Sequence, residues 1–269
     1  PYAELAFITK SLRPVPAQPE DDEEDESEDE QPADTGVCDN TKPPPTPKTQ
    51  APAQPQKLAT PAKPSVDTKN YHTWAYRQWL LAEFNSPELW AGELDFVDEM
   101  LRHDVRNNSA WHHRFFVTFE SGIREGEEDR QAVARREIDY AKDKISYVPN
   151  NASAWNYLRG VLRITQTPFT ELETFVVPYT LSRASASESE DAIDLENPRP
   201  SATAELPCAL AIELLADISL EKATSGDQSA TDCLKKADEL FVSLATEHDT
   251  IRRKYWEYRR NKVKKQQEA

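Results

Sequence analysis

Asn70-Tyr71-His72-Thr73-Trp74-Ala75-Tyr76-Arg77-Gln78-Trp79 is the stretch that decides the fold. It sets an Asn four residues before a Trp and an Arg three residues after it. The frame returns at Asn107, Trp111 and Arg114, and again at Asn151 and Trp155. In that third copy Leu158 fills the Arg slot and Arg159 comes one place late. A weaker copy sits at Trp256 with Arg259. Repetition of this kind marks supersecondary units that cannot bury their apolar faces alone and must stack into one core.

A second element is copied with the frame. Glu4-Leu5-Ala6-Phe7-Ile8 with Leu12, Glu93-Leu94-Asp95-Phe96-Val97 with Leu101, and Glu137-Ile138-Asp139-Tyr140-Ala141 with Ile145 are versions of one amphipathic helix. Apolar residues three and four apart, such as Leu94, Val97 and Leu101, give the helical stripe. Leu101 lies six residues before Asn107, and Ile145 six before Asn151, but Leu12 lies 58 before Asn70. An insertion of 52 residues therefore interrupts a repeat whose corrected period is 37 and then 44 residues, the range of two-helix solenoid units.

The expected fold is all-α, a solenoid of antiparallel helical hairpins. Residues 1–12 read as the helix of a truncated repeat, 13–68 as the insertion, 69–183 as the repeats, 184–205 as an acidic loop and 206–269 as C-terminal helical repeats. Within the insertion, residues 20–30 are acidic except for Ser27, and twelve prolines lie between Pro14 and Pro64. Such a segment buries too little apolar area to offset about 1–2 kcal/mol of ordering entropy per residue, so disorder is expected there. The helices are expected near 71–84, 87–103, 109–120, 128–147, 153–165, 168–183, 207–224, 229–247 and 249–265. Ser86-Pro87-Glu88 supplies a cap, a first-turn Pro and an acidic start for the second of them.

Charge narrows the function. The 269-residue chain carries a formal net charge of −16, and residues 11–68 alone hold 13 acidic against five basic side chains. Phosphate-backbone binding needs clustered Lys and Arg, so no nucleic-acid partner is expected. Six Gly disfavour a turn-rich β fold or a Gly-rich phosphate loop. Cys38, Cys208 and Cys233 have no short paired spacing, which fits a reducing compartment rather than a disulfide framework or zinc ribbon. No apolar run reaches membrane-spanning length, so no membrane insertion is expected. The opening at Pro1, in what reads as mid-element, suggests part of a longer protein.

Within the frame, Trp74, Trp111 and Trp155 read as packing residues, each removing about 150–250 Å² from water. Asn70, Asn107 and Asn151 read as helix caps worth about 1 kcal/mol. Arg77 and Arg114 are expected to pair with acids of an adjacent helix, such as those between Glu93 and Glu99. Tyr71 and His72 stand apart, because the same slots hold Asn108-Ser109 and Ala152-Ser153 in the other copies. Packing does not require a phenol and an imidazole there. Two donors side by side at a helix start, next to Lys69, suit an anion. The pair His112-His113 points to different sides of a helix and has no third ligand nearby, so no metal is expected on this chain.

The Asn-x-x-x-Trp-x-x-Arg frame resembles the prenyltransferase α-subunit repeat. The stretch 70–79, Asp104-Val105-Arg106-Asn107-Asn108-Ser109, Asn151-Ala152-Ser153-Ala154-Trp155-Asn156-Tyr157-Leu158 and Asp249-Thr250-Ile251-Arg252-Arg253-Lys254-Tyr255-Trp256 resemble the α subunit shared by protein farnesyltransferase and geranylgeranyltransferase type I. The resemblance covers roughly residues 1–12 and 69–265, and departs at the two acidic segments. It implies a crescent of helical hairpins around a separate β subunit that carries the catalytic zinc. It implies transfer of an isoprenoid from its diphosphate, with magnesium, to the Cys of C-terminal Cys-a-a-X proteins such as small GTPases. It makes Tyr71 a diphosphate-contacting residue, His72 its neighbour at the active-site face, and Asn70 the shaper of their turn. The family's catalytic Lys belongs to a preceding repeat whose frame is absent here. Lys69 holds the analogous slot one repeat later and is assigned only a supporting place. A cytoplasmic heterodimer, inactive without its β subunit, is the expected whole. The alternatives are a Rab geranylgeranyltransferase α subunit and a non-catalytic tetratricopeptide-like scaffold. Tyr71 and the 249–256 stretch favour the farnesyl type over the first, and the frame is not the tetratricopeptide pattern.

Overall fold

The cap at Asn70 starts a helix of 14 residues. In the computed structural model its side-chain oxygen accepts hydrogen bonds from the backbone amides of His72 and Thr73. The helix, α2 (Tyr71–Phe84), ends at Asn85 in the left-handed region, φ 38°. The described residues are 2–13, 67–120, 130–183, 194–225 and 230–267. The acidic, Pro-rich segment from 14 to 66, with Cys38, lies outside them, as do 121–129 and 184–193.

Among the described residues the elements are helical and no strand occurs. α1 (Tyr2–Leu12) precedes α2, and α3 (Pro87–Trp90), α4 (Glu93–His103) and α5 (Asn108–Phe115) follow it. After them come α6 (Arg130–Tyr147), α7 (Ala152–Thr165), α8 (Glu173–Thr180), α9 (Ala209–Ser225), α10 (Ala230–Ser243) and α11 (Arg253–Gln267). A π-helical turn at Phe116–Glu120 extends α5, and another at Leu244–His248 extends α10. Sequential helices pack as hairpins: α1 on α2, α4 on α5, α6 on α7, α8 on α9 and α10 on α11. α5 also packs on α2 and on α7, which joins the hairpins into a stack.

One expected helix is two. The run 87–103 breaks at Ala91-Gly92, where Gly92 takes φ 80°, a backbone conformation that favours glycine. Ser86 does not cap α3 with its side chain; its hydroxyl lies 3.3 Å from that of Tyr2. Pro87 at the first helical position and Glu88 remain the start signal. The break lets Trp90 turn inward, where its indole donates to the Asn85 side chain at 3.0 Å.

The main core runs from Ile8 and Leu12 through Trp74, Trp111 and Trp155 to Phe175, Tyr179 and Leu214. A second core gathers Ile212, Ala237, Phe241, Leu244 and Trp256. Trp256 is fully buried, but it serves this second cluster and not the first. Gly160 sits where α7 meets α5, and a Cβ there would come within 3.1 Å of the Phe115 ring. Residues 194–205, in the expected acidic loop, are anchored. Lys142 donates to the Glu196 carbonyl at 2.9 Å, and Tyr179 to that of Pro198 at 2.7 Å.

Candidate functional site

Each frame residue has a stacking task, and those tasks show which residues remain for chemistry. The indole N–H of Trp74 donates to the Thr68 carbonyl at 3.0 Å, that of Trp111 to Val105 at 2.8 Å and that of Trp155 to Pro149 at 2.7 Å. Trp256 makes the analogous bond to Asp249 at 3.2 Å. The same carbonyls tie neighbouring units. The carboxamide of Asn107 donates to Thr68 at 3.1 Å, and that of Asn151 to Val105 at 2.7 Å. Asn107 and Asn151 are therefore both caps and cross-repeat ties; their oxygens still accept from Ser109 and Ser153. Arg252 holds the Asn slot of the fourth copy, which explains why no such tie forms there.

The arginines close clasps. Arg77 donates Nε and Nη2 to Glu93 at 2.9 and 2.6 Å, and Nη1 to Thr9 at 2.7 Å. Its guanidinium lies 4.0 Å above the Phe96 ring. His113, fully buried, approaches Glu93 at 2.8 Å through Nε2. Glu93 then accepts from both, and that bond places the His113 proton on Nε2. Burial pushes the His113 pKa down. Burial alone would raise that of Glu93, but the bonds from His113 and Arg77 hold it below the usual carboxylate value.

The second clasp has the same plan. Arg114 donates Nε and Nη2 to Glu137 at 2.7 and 3.1 Å, and Nη1 to Asp98 at 2.5 Å. It lies 3.5 Å above the Tyr140 ring. The Tyr157 hydroxyl donates to Glu137 at 2.7 Å. The expected acidic partners within 93–99 are thus Glu93 for Arg77 and Asp98 for Arg114. Sequence reading missed Glu137, His113 and Tyr157. Two signals mark them: Glu137 heads the copied helix as Glu93 does, and His113 and Tyr157 both follow a frame Trp by two.

Tyr71 and His72 take no part in this machinery. They occupy the first turn of α2 with ring centroids 3.9 Å apart, and Tyr71 is 67% exposed. Asn70 already satisfies the amides of His72 and Thr73, so any donors offered outward there come from the side chains. Lys69 is not a free cation: its ammonium pairs with Asp104 at 2.7 Å. That hydrogen bond is the main reason the Asp104 carboxyl is held below its usual pKa. An exposed phenol and imidazole thus remain side by side with no packing role. Among the described residues no group of three or more His, Cys, Asp or Glu could hold a metal ion.

Three segments, residues 65–84, 90–120 and 134–165, match the family described as protein prenyltransferase alpha subunit repeat. The "Protein farnesyltransferase/geranylgeranyltransferase type-1 subunit alpha" of Dictyostelium discoideum is 42% identical over 74 residues, 28% of this chain and 22% of that one. The protein of the same name from Pisum sativum is 36% identical over 78 residues, 29% and 22% of the two chains. The "Geranylgeranyl transferase type-2 subunit alpha" of Saccharomyces cerevisiae is 33% identical over 90 residues, 33% and 26% of the two. A solved structure, "Candida albicans protein geranylgeranyltransferase-I complexed with GGPP", aligns at a TM-score of 0.55 and 31% identity over 73% of this chain. The chain spans 54% of that structure's chain and about a quarter or less of these curated relatives. Together with the repeated clasps, these likenesses show that residues 65–84, 90–120 and 134–165 are similar to protein prenyltransferase alpha subunit repeats.

Proposed function

We propose that the chain acts as the α half of a heterodimeric protein prenyltransferase of the farnesyl and geranylgeranyl type I kind. The observation that carries this reading is the exposed Tyr71–His72 pair at the head of α2, held by a capped turn and unused by the stack. The higher identity to type-1 than to type-2 α subunits supports it over a Rab-directed enzyme. The solved relative's bound GGPP, an isoprenoid diphosphate, supports the ligand class.

The chemistry follows from charge development. When the C1–O bond of an isoprenoid diphosphate breaks, negative charge grows on the leaving phosphate oxygens. Donors fixed at those oxygens lower the barrier because they bind the transition state better than the ground state. The Tyr71 hydroxyl and a His72 ring N–H are such donors. Asn70 fixes the turn that aims them. A partner β subunit would supply a zinc, whose chemistry is to lower the pKa of a bound thiol, and magnesium would accompany the diphosphate. The acceptor is the Cys of a C-terminal Cys-a-a-X protein, and the site of action is cytoplasmic; no helix among the described residues is long and apolar enough to cross a membrane.

Co-expression with a β subunit and assay of Cys-a-a-X alkylation tests the proposal. Tyr71→Phe slows transfer about 10-fold, or about 1.4 kcal/mol of transition-state stabilisation, while leaving the heterodimer intact. An unchanged rate removes Tyr71 from the mechanism. Transfer to Rab proteins alone would reassign the chain to the type-2 enzymes.

A further inference from the structure

The turns that open α2 and α5 are joined by two kinds of bond. The first is a carbonyl tie: Thr68 accepts from the side chains of Trp74 and Asn107. The second is an ion pair, in which the Lys69 ammonium reaches one oxygen of Asp104 at 2.7 Å. The other Asp104 oxygen accepts from the Arg106 amide at 2.9 Å, as Asp67 accepts from the Lys69 amide at 3.0 Å. Asp104 thus closes its own turn with one oxygen and fixes its neighbour's cation with the other. The bond from Lys69 holds the Asp104 carboxyl below its usual pKa, which keeps it charged at neutral pH.

Stacking does not require the ion pair. One repeat later the carbonyl tie recurs, with Asn151 donating to Val105 at 2.7 Å. By register the slot of Asp104 is then Val148, which cannot pair with Arg106 in the slot of Lys69. The pair is also half exposed, and such pairs add little to stability. What sets this junction apart is its neighbour: Lys69 stands two residues before Tyr71 and three before His72. With Cα atoms about 3.8 Å apart, its side chain starts within about 8 Å of Tyr71. A Lys carries its charge on a flexible four-carbon stem, so only a partner decides where that charge rests.

We propose that Asp104 is a positioning residue for the leaving diphosphate: by holding Lys69 at the head of α5, it leaves the fixed donors Tyr71 and His72, rather than a mobile ammonium, to meet the phosphate oxygens. The inference rests on the transfer reading above and adds a control on the same site. A mobile ammonium attracts the diphosphate equally before and after the C1–O bond breaks. Binding of that kind tightens the ground state and the product without lowering the barrier between them. Donors fixed on a capped turn answer the charge that develops in the transition state. Tying Lys69 away therefore favours release of the product diphosphate at no cost to the chemical step.

The test uses the heterodimer formed by co-expression, with inorganic pyrophosphate as the probe. Asp104→Asn keeps an oxygen for the Arg106 amide and removes the charge that holds Lys69. Competitive inhibition by pyrophosphate should tighten about 3-fold or more. The KM for the isoprenoid diphosphate should fall with it, while kcat does not rise. The gain should fade as salt approaches about 1 M, where screening acts within about 3 Å. In a Lys69→Ala background Asp104→Asn should add nothing. Asp104→Glu, which keeps the charge, should restore the parent inhibition, whereas a merely structural role would leave both substitutions alike. Unchanged inhibition, or the same change with and without Lys69, would overturn the role of Asp104 and leave the transfer reading in place. A heterodimer that transfers no isoprenoid would overturn both.

Discussion

The first two repeat junctions and the third solve one packing problem in opposite ways. At the first two, a guanidinium enters the core and meets a bidentate carboxylate, a ring and one further oxygen acceptor. At the third, Leu158 occupies the Arg slot and is fully buried. Five residues past the head of the copied helix stand Thr9, Asp98 and Lys142. The first two accept from the frame Arg, and the third is itself a cation. Lys142 turns to the Glu196 carbonyl and lies 5.5 Å from the Phe175 ring. By the register of Arg114 and Asp98, an Arg at 158 would be aimed at Lys142. Arg159, one place later, instead reaches Asp217 at 2.5 Å, which also takes Arg259 at 2.6 Å. The clasp is thus a coupled set: where the acceptor becomes a cation, the buried Arg becomes an aliphatic side chain.

The largest test of this contrast removes one arginine at each kind of junction. Arg114→Ala leaves Glu137, fully buried, without its bidentate partner and with only the exposed Arg136 as a cation beside it. Removing one member of a buried pair costs about 3–5 kcal/mol, read as a shift of the urea midpoint. Arg159→Ala costs about 1–2 kcal/mol, because Asp217 keeps its bond to Arg259. Equal losses would mean that the two junctions do not differ in kind.

A reversal sharpens the comparison. Leu158→Arg puts a guanidinium into a junction whose copied helix carries Lys142 where Asp98 stands in the second, and should cost about 3 kcal/mol. Adding Lys142→Asp recreates the geometry of Arg114 and Asp98, and the pair should recover at least about 1 kcal/mol in a double-mutant cycle. Zero coupling would show that the two positions do not interact.

These positions also mark how far the sequence could be read. The frame residues, the copied helix and the 52-residue offset were legible because packing imposes a period that survives substitution. The ends of α2, α7 and α9 fall within two residues of expectation because Asn70 and Asn151 cap and Pro207 breaks. The break at Gly92 was hidden by an apolar stripe that continues on both sides of it. His113 and Tyr157 were missed because their shared slot, two places after a frame Trp, holds an imidazole once and a phenol once; the fold reveals that both meet a carboxylate on another helix. The exposed pair Tyr71–His72 stood out for the opposite reason, as a departure from what the repeat requires. Of the segment 13–68, read as disordered, residues 14–66 lie outside the described residues, while Thr68 accepts from Trp74 and Asn107.

The two clasps should themselves part company with pH. His113 is held neutral by burial, with a pKa below its unfolded value of about 6.5. As pH falls through that value the unfolded chain takes up a proton that the folded chain resists, so stability drops. The slope is at most about 1.4 kcal/mol per pH unit for one group. Glu93 adds to the loss only at lower pH, since its own pKa is held below the usual carboxylate value by His113 and Arg77. The equivalent Tyr157 is pushed far up by burial and does not titrate in this range. Denaturation at pH 7.5 and 5.5 should therefore show a loss that His113→Tyr reduces. A variant with the full slope would move the titration away from the first clasp.

The smallest effect belongs to the bridge that the clasps most resemble on paper. Lys69 and Asp104 join adjacent loops at 2.7 Å, as close as Arg114 and Glu137, but their side chains are 56% and 39% exposed. Water already solvates both charges, so bringing them together gains little beyond what it costs in side-chain freedom. Lys69→Ala should lose about 0.2–1 kcal/mol, and that loss should vanish in about 1 M salt, where screening acts within about 3 Å. The Arg114→Ala loss should persist there, because salt cannot reach a carboxylate that water does not reach. A salt-resistant loss above about 2 kcal/mol for Lys69→Ala would show that burial, rather than bond length, is the wrong measure of these pairs.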